Sequence, residues 1–269
     1  MEARRVAVTG IGVVAPCGIG SDAFWAGLLA EPPQGSERRV EDFDPPPWFE
    51  NRKEARRTDR FAQFAFAAAA MALEEAGDVK VDPVRAGVLI GTGVGGIATL
   101  EEQIQINYTK GSDRVSPFLV PMMMGNAAAA GVSMRYGFQG PCETTVTACA
   151  AGTHSIGNAA RMVRDGRCDV MLAGGSEAGM TPTAIAGFSN MTALSTSGHS
   201  RPFDVRRDGF VMAEAAGVLV LEEYERALAR GATILGEIMG SANTADAHHI
   251  TAPSPGGAGA INCMELAMA

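Results

Sequence analysis

The chain has little of what marks several large classes of protein. Aromatic residues make up only 6% of it, with two tryptophans and three tyrosines, so its interior must be packed from aliphatic and small side chains. No apolar run approaches the roughly 20 residues of a membrane-spanning helix, and the opening Met-Glu-Ala-Arg-Arg has no apolar core of the kind a leader peptide needs. Basic residues are outnumbered: 22 Lys and Arg against 30 Asp and Glu leave a net charge of −8. That balance argues against nucleic acid as a partner, because phosphate recognition needs a basic surface. The five cysteines (Cys17, Cys142, Cys149, Cys168 and Cys263) form no CxxC pair and are odd in number. A disulfide framework or zinc site is disfavoured, and a reduced cytoplasm fits better. The four histidines (His154, His199, His248 and His249) form no HExxH pattern, and no metal is expected.

What is present is 269 residues, 46% hydrophobic and rich in glycine (33), enough for a sizeable core. The most informative stretch is 144–178, TTVTACAAGTHSIGNAARMVRDGRCDVMLAGGSEA. Residues 144–147 (TTVT) are β-branched and read as a short strand. Residues 150–163 carry small and apolar residues at helical spacing, with Arg161 and Arg164 near the end. Residues 168–173 (CDVMLA) read as a buried strand. Cys149 therefore falls where a strand hands over to a helix. The first turn of a helix offers unpaired N–H groups and partial positive charge, which favour a thiolate nucleophile. The plainer alternative is a buried cysteine acting as a small hydrophobe. The other four cysteines are expected in or beside buried strands and packed helices.

The rest of the chain reads as alternating strands and helices, hence a layered, mostly parallel α/β sheet. Residues 5–12 form a first strand, and 21–29 a helix with Ser21 as its cap. Residues 31–47 are a proline-rich surface excursion, and 58–76 an Ala/Phe-rich helix preceded by the basic cluster RKEARR. Residues 86–90 form a strand followed by GTGVGG, with Gly91, Gly93 and Gly96 matching GxGxxG. A dinucleotide site would need an acidic residue at the end of a second strand about 20 residues on. The residue there, Asp113, lies in a turn-like segment, so glycine for close backbone packing beside a pocket is the better account. Residues 116–124 (SPFLVPMMM) are too irregular for a helix core, and 126–134 read as a helix of small residues. Residues 210–222 read as a long strand, 223–230 as a helix and 234–242 as a strand.

Five segments resemble the 3-oxoacyl-[acyl-carrier-protein] synthases, the elongating condensing enzymes of fatty-acid synthesis. They are VAVTGIGVVAPCG near the start, TACAAG with RDGRCDVMLAGGSEA, RPFDVRRDGFVMAEAAGVLVLEEYERALARGA at 201–232, and TADAHHITAPSPGGAGA at 244–260. The resemblance runs over essentially the whole chain in the family's order. It implies a thiolase-like layered α/β fold with a mixed, mostly parallel sheet flanked by helices, residues 1–243 being an N-terminal half that carries the nucleophile and 244–269 opening a C-terminal half that is largely absent. It makes Cys149 the nucleophile, its backbone N–H half of an oxyanion hole. Phe188 falls beside the cysteine, the loop holding Phe118 helps form the acyl pocket, and Gly93 lies at its edge. The basic residues Arg52, Lys53, Arg56, Arg57 and Arg114 would receive acidic acyl carrier protein. Substrates would arrive on the carrier's phosphopantetheine, with no further cofactor, and the enzyme would be a homodimer. Where the family usually has glycine, this chain has Ala213 and Ala215.

The family's catalytic histidines sit in an HGTST-like and a GHxxGAAG-like motif, and neither occurs here. His248 and His249 match a different position, so no catalytic histidine is assigned. Two other readings stand beside the elongating synthase: a ketosynthase of an aromatic polyketide pathway, and a catalytically silent subunit that binds the carrier and dimerises.

Overall fold

The computed structural model describes residues 4–33 and 35–269. Residues 1–3, within the opening Met-Glu-Ala-Arg-Arg, and Gln34, within the proline-rich excursion, lie outside the described residues.

The chain opens with β1 (Val6–Ala15), which turns back through β2 (Gly18–Ile19) into α1 (Ser21–Leu29). Ser21 does not cap that helix. Gly20 occupies the cap position with φ of 87°, and the Ser21 hydroxyl is aimed at the Ile11 carbonyl, 3.5 Å away. After β3 (Glu37–Arg38) comes α2 (Arg52–Ala55), capped by Asn51, and then α3 (Arg60–Ala76), capped by Asp59. β4 (Ala86–Gly91), α4 (Ile97–Lys110), α5 (Leu119–Met123) and α6 (Ala127–Tyr136) follow. The irregular 116–124 stretch thus holds one short helix. β5 (Cys142–Glu143), α7 (Ala151–Arg164), β6 (Val170–Glu177) and α8 (Pro182–Asn190) come next. The chain closes with β7 (Met212–Ala213), β8 (Ala215–Glu223), α9 (Tyr224–Ala229), β9 (Gly236–Glu237) and α10 (Ala258–Met268).

Seven strands form the main sheet in the order β2-β1-β8-β6-β4-β5, with β9 also on β1. β1, β6, β4 and β5 run in one direction, as a layered α/β reading expects. β8 opposes them and lies between β1 and β6, so the two longest ladders are antiparallel and the sheet is mixed. Two expected strands are shorter than their β-branched sequences imply. Residues 144–147 leave the ladder after β5, keeping one backbone bond from Thr92 N to the Thr145 carbonyl (3.1 Å). β9 stops at Glu237 because Ile238 already bonds Val6, where β1 begins.

Period-two alternation puts the two faces of the sheet into separate cores. Val88, Ile90, Val170, Leu172, Val218 and Val220 face α3 and α6, while Leu89, Met171, Ala173 and Leu221 face α7. Burying each such aliphatic side chain stabilises the fold by roughly 1.5–3 kcal/mol. α3 lies directly on β1 because the residues it sets against that strand, Ala68, Ala72 and Ala76, are alanines and because Gly10 and Gly12 carry no Cβ. A methyl at either glycine would run into the α3 carbonyls of Ala72 and Ala68. Few aromatics are needed where backbones approach this closely.

Candidate active site

Between β5 and α7 the backbone makes one strained turn. Ala148 adopts φ of 50°, a left-handed conformation that costs a non-glycine residue about 1 kcal/mol or more. That turn swings the chain out of the extended segment into a 3-10 turn, Ala148–Ala150, which runs without a break into α7. Cys149 thus sits one residue ahead of the sequence-based helix, inside the turn that heads it. No side chain caps α7, and no carbonyl or side chain outside the turn accepts from Cys149 N–H among the described residues. The opening N–H groups of such a turn have no partner within it. The head of α7 can approach the sheet because Gly152 and Gly175 meet backbone to backbone, where a Cβ on Gly175 would lie 2.9 Å from the Gly152 Cα. Thr147 Oγ1 and His154 Nδ1, 2.8 Å apart, tie the entry of the turn to α7.

Cys149 is exposed and lies on the wall of a cavity of about 400 Å³. Its walls are mainly apolar and include Val94, Ile97, Ala184, Phe188, Met212 and Ala215. Phe188 comes from α8 and is held edge-to-face against Phe210, with centroids 5.4 Å apart. Gly93 is also on the wall, so the structure brings Cys149, Phe188 and Gly93 to one cavity. Phe118 is not on that wall within this chain; its ring lies under the Arg57 guanidinium, 4.0 Å from centroid to carbon. Of the two alanines that replace glycine, Ala215 lines the cavity and Ala213 is exposed.

The GTGVGG loop is committed to a protein carboxylate. Glu177 Oε2 accepts from Gly93 N (2.8 Å), Val94 N (3.2 Å) and Thr92 Oγ1 (3.1 Å). The amides that would cradle a phosphate are therefore occupied by an anion already, which is a physical reason for rejecting the dinucleotide reading. Glu177 and Glu214 were not singled out from sequence. Glu214 is buried, accepts from Arg60 (2.6 and 2.9 Å) and Val40 N (2.9 Å), and braces the strands carrying Met212 and Ala215. The only signal was an acidic residue inside each of two glycine- and alanine-rich strand segments.

Arg52, Lys53, Arg56, Arg57 and Arg114 are all exposed, and their side chains form no ion pair among the described residues. The Arg57–Phe118 stack joins α2 to the 116–124 segment beside Arg114. Cys142 departs from expectation. It is exposed on edge strand β5, though desolvation still pushes its thiol pKa up. Cys168 is buried, and desolvation raises its thiol too. His248 and His249 are exposed, and His249 Nδ1 accepts from Thr251 N (3.1 Å) and Ala252 N (3.0 Å) in a local turn.

Residues 29–227 match the family model described as "Beta-ketoacyl synthase, N-terminal domain". The 3-oxoacyl-[acyl-carrier-protein] synthase 2 of Synechocystis sp. is 44% identical over 100% of this chain and 69% of its own length. That of Rhizobium meliloti is 43% identical over 98% and 70%. Among solved structures, a type II polyketide ketosynthase in complex with its acyl-carrier protein superposes with TM-score 0.87 at 33% identity, covering 99% of this chain and 70% of that one. The ishigamide ketosynthase/chain length factor superposes at 0.90 with 31% identity, over 99% and 70%. These ketosynthases share the thiolase-like layered fold found here. With a cysteine at the head of α7, an apolar cavity beside it and relatives matched along its whole length, the chain belongs to the beta-ketoacyl synthases.

Proposed function

We propose that the chain is the nucleophile-bearing part of a 3-oxoacyl-[acyl-carrier-protein] synthase of fatty-acid elongation, with residues 1–243 as that half and 244–269 opening the next. The observation that carries this is Cys149 on the wall of an apolar cavity, at the head of a helix no side chain caps. The Cys149 sulfur attacks the thioester carbonyl of an acyl group delivered on a carrier's phosphopantetheine. The bond from that carbonyl to the pantetheine sulfur breaks, the pantetheine leaves with a proton, and an acyl-Cys149 thioester remains. During the attack the carbonyl oxygen becomes an oxyanion, for which the Cys149 N–H is a ready donor. The acyl chain then occupies the apolar cavity. In the second half-reaction a malonyl carrier loses CO₂, and its enolate carbon attacks the acyl carbonyl, returning the cysteine. Donors for that enolate belong to motifs outside this sequence.

The exposed cations around α2 and Arg114 support docking of an acidic carrier, and the open edge of β5 supports a homodimer. Five free thiols suit a reduced, cytoplasmic setting, and no helix among the described residues is long and apolar enough to cross a membrane. The chain brings no cofactor beyond the carrier's pantetheine in this reading. The type II polyketide ketosynthase among the structural relatives favours a second reading, in which the same half-reactions extend a polyketide.

The test measures acylation of Cys149 by acyl carrier using intact-mass analysis, and ¹⁴CO₂ release from malonyl carrier, for wild type and Cys149→Ala. Acyl transfer to Cys149 with fatty starters is expected, and CO₂ release near the Cys149→Ala level. Absence of acyl-Cys149 would sink the reading. Preference for polyketide starters would select the second.

A further inference from the structure

Glu177 ends β6 and is the most fully hydrogen-bonded side chain on the cavity wall. Besides the three donors of the 92–94 segment on Oε2, its Oε1 accepts from Ala178 N (3.1 Å). Thr92 Oγ1, which donates to the carboxylate, in turn accepts from Gly95 N (3.1 Å). Residues 92–95 are therefore tied to the end of β6 through one charge-assisted cluster, stronger than the same bonds to a neutral acceptor. That segment is the cavity rim: Gly93 and Val94 line it, and Val94 is 57% exposed. The fit leaves no slack, since a Cβ on Gly93 would lie 2.9 Å from Glu177 Oε2. With its oxygens engaged by fixed donors, Glu177 is poorly placed to take a proton from a substrate.

We propose that Glu177 is a positioning residue that sets the acyl-chain selectivity of the cavity by pinning the 92–95 rim. This rests on the acyl-site reading of the cavity. A neutral amide in its place keeps one oxygen for the three rim donors but without the charge, and turns its NH₂ toward Ala178 N, so the rim is held more weakly, relaxes outward and gives bulkier chains access. Selectivity in apolar pockets is sensitive to such shifts, because a single methylene changes discrimination by about tenfold or more.

The experiment uses the whole 269-residue chain and pantetheine thioesters, so that carrier docking plays no part. Rates of Cys149 acylation by butyryl- and decanoyl-pantetheine are measured for wild type, Glu177→Gln and Thr92→Val. Glu177→Gln should raise the decanoyl-to-butyryl ratio about threefold or more, and Thr92→Val should move it the same way by less. If Glu177→Gln does not fold, Thr92→Val decides alone. Both rates falling by one common factor, with the ratio unchanged, would mean that Glu177 only holds the fold and would overturn the proposal. Failure of the wild type to acylate from either thioester would overturn the acyl-site reading itself, and the wild-type arm separates that result from the other.

Discussion

Asp59 and Thr99 join two helices through a single carboxylate oxygen. Asp59 Oδ2 accepts from both Thr99 N (3.0 Å) and Thr99 Oγ1 (2.5 Å), while Oδ1 accepts from Phe61 N (3.1 Å). One buried acid, 4% exposed, thus serves the first turns of α3 and α4 together. It fixes the helix that follows the 92–95 rim to the helix that underlies the sheet.

Asp59→Ala should accordingly cost more than an ordinary cap. Loss of a cap is worth about 1 kcal/mol, and buried donors left unpaired add about 1–3 kcal/mol. Urea denaturation should show a loss of roughly 2–4 kcal/mol from these two terms together. A loss confined to a few tenths would show that α3 and α4 do not depend on this residue.

Thiol reactivity should separate the five cysteines by position. Iodoacetamide at neutral pH is expected to modify Cys149 first and Cys168 last, since Cys168 is both buried and raised. Cys142, exposed but raised by desolvation, should react slowly at neutral pH and speed up steeply as the pH rises. Peptide mapping that found Cys168 labelled before Cys149 would contradict the placement of both.

Asp169 gives the fold a pH dependence. It accepts from Arg85 (2.6 and 2.9 Å) and from Arg4 (2.9 Å), and these bonds hold its carboxyl below the ordinary aspartate value. The unfolded chain therefore binds a proton more readily, and stability rises with pH across that interval. The contribution is complete above the ordinary value near pH 3.9 and is lost as the pH falls through the lower native value. The stability difference between wild type and Asp169→Asn should shrink on acidification below about pH 4. A difference independent of pH from 6 to 2 would remove the carboxylate from the account.

Much of this arrangement could be read from sequence wherever the pattern is local. The 3.6-residue spacing of α3 and α7 and the apolar runs of β4 and β6 located the layers, and Cys149 stood out at a strand-to-helix junction. What sequence could not show depends on partners distant in the chain. β8 reads as one more strand, and only its position between β1 and β6 reveals that it runs against them. β-branched residues 144–147 promised a strand that the turn at Ala148 overrides. Glu177 could not be noticed until its donors, more than 80 residues earlier, were brought beside it.

If α2 receives the carrier, Arg56→Glu with Arg57→Glu should slow acylation of Cys149 from acyl carrier by about tenfold or more, electrostatic steering being of that order. Acylation from the pantetheine thioester should hardly change, and raising the salt concentration should weaken the wild-type preference for carrier. Equal loss with both donors would place these arginines outside the docking surface.

The exposed edge of β5 is paired with β4 on one side only. Sedimentation equilibrium at micromolar concentration should therefore give a dimer, with a second copy covering that edge. A cooperative, non-aggregating monomer would exclude it.

The central place of β8 also governs the order in which the protein can be completed during synthesis. Val6 pairs with Glu223, so β1 has no neighbour on its inner side until residues 215–223 have left the ribosome. At about 5–20 residues per second, β1 waits roughly 10–40 s after its own emergence for that neighbour. Through that interval β1, joined in its last part by β6, presents an unpaired apolar edge, and the helices that pack on them have half a platform. The nascent chain is thus a natural client for holding chaperones, and any change that delays emergence of residues 215–223 prolongs its exposure to aggregation.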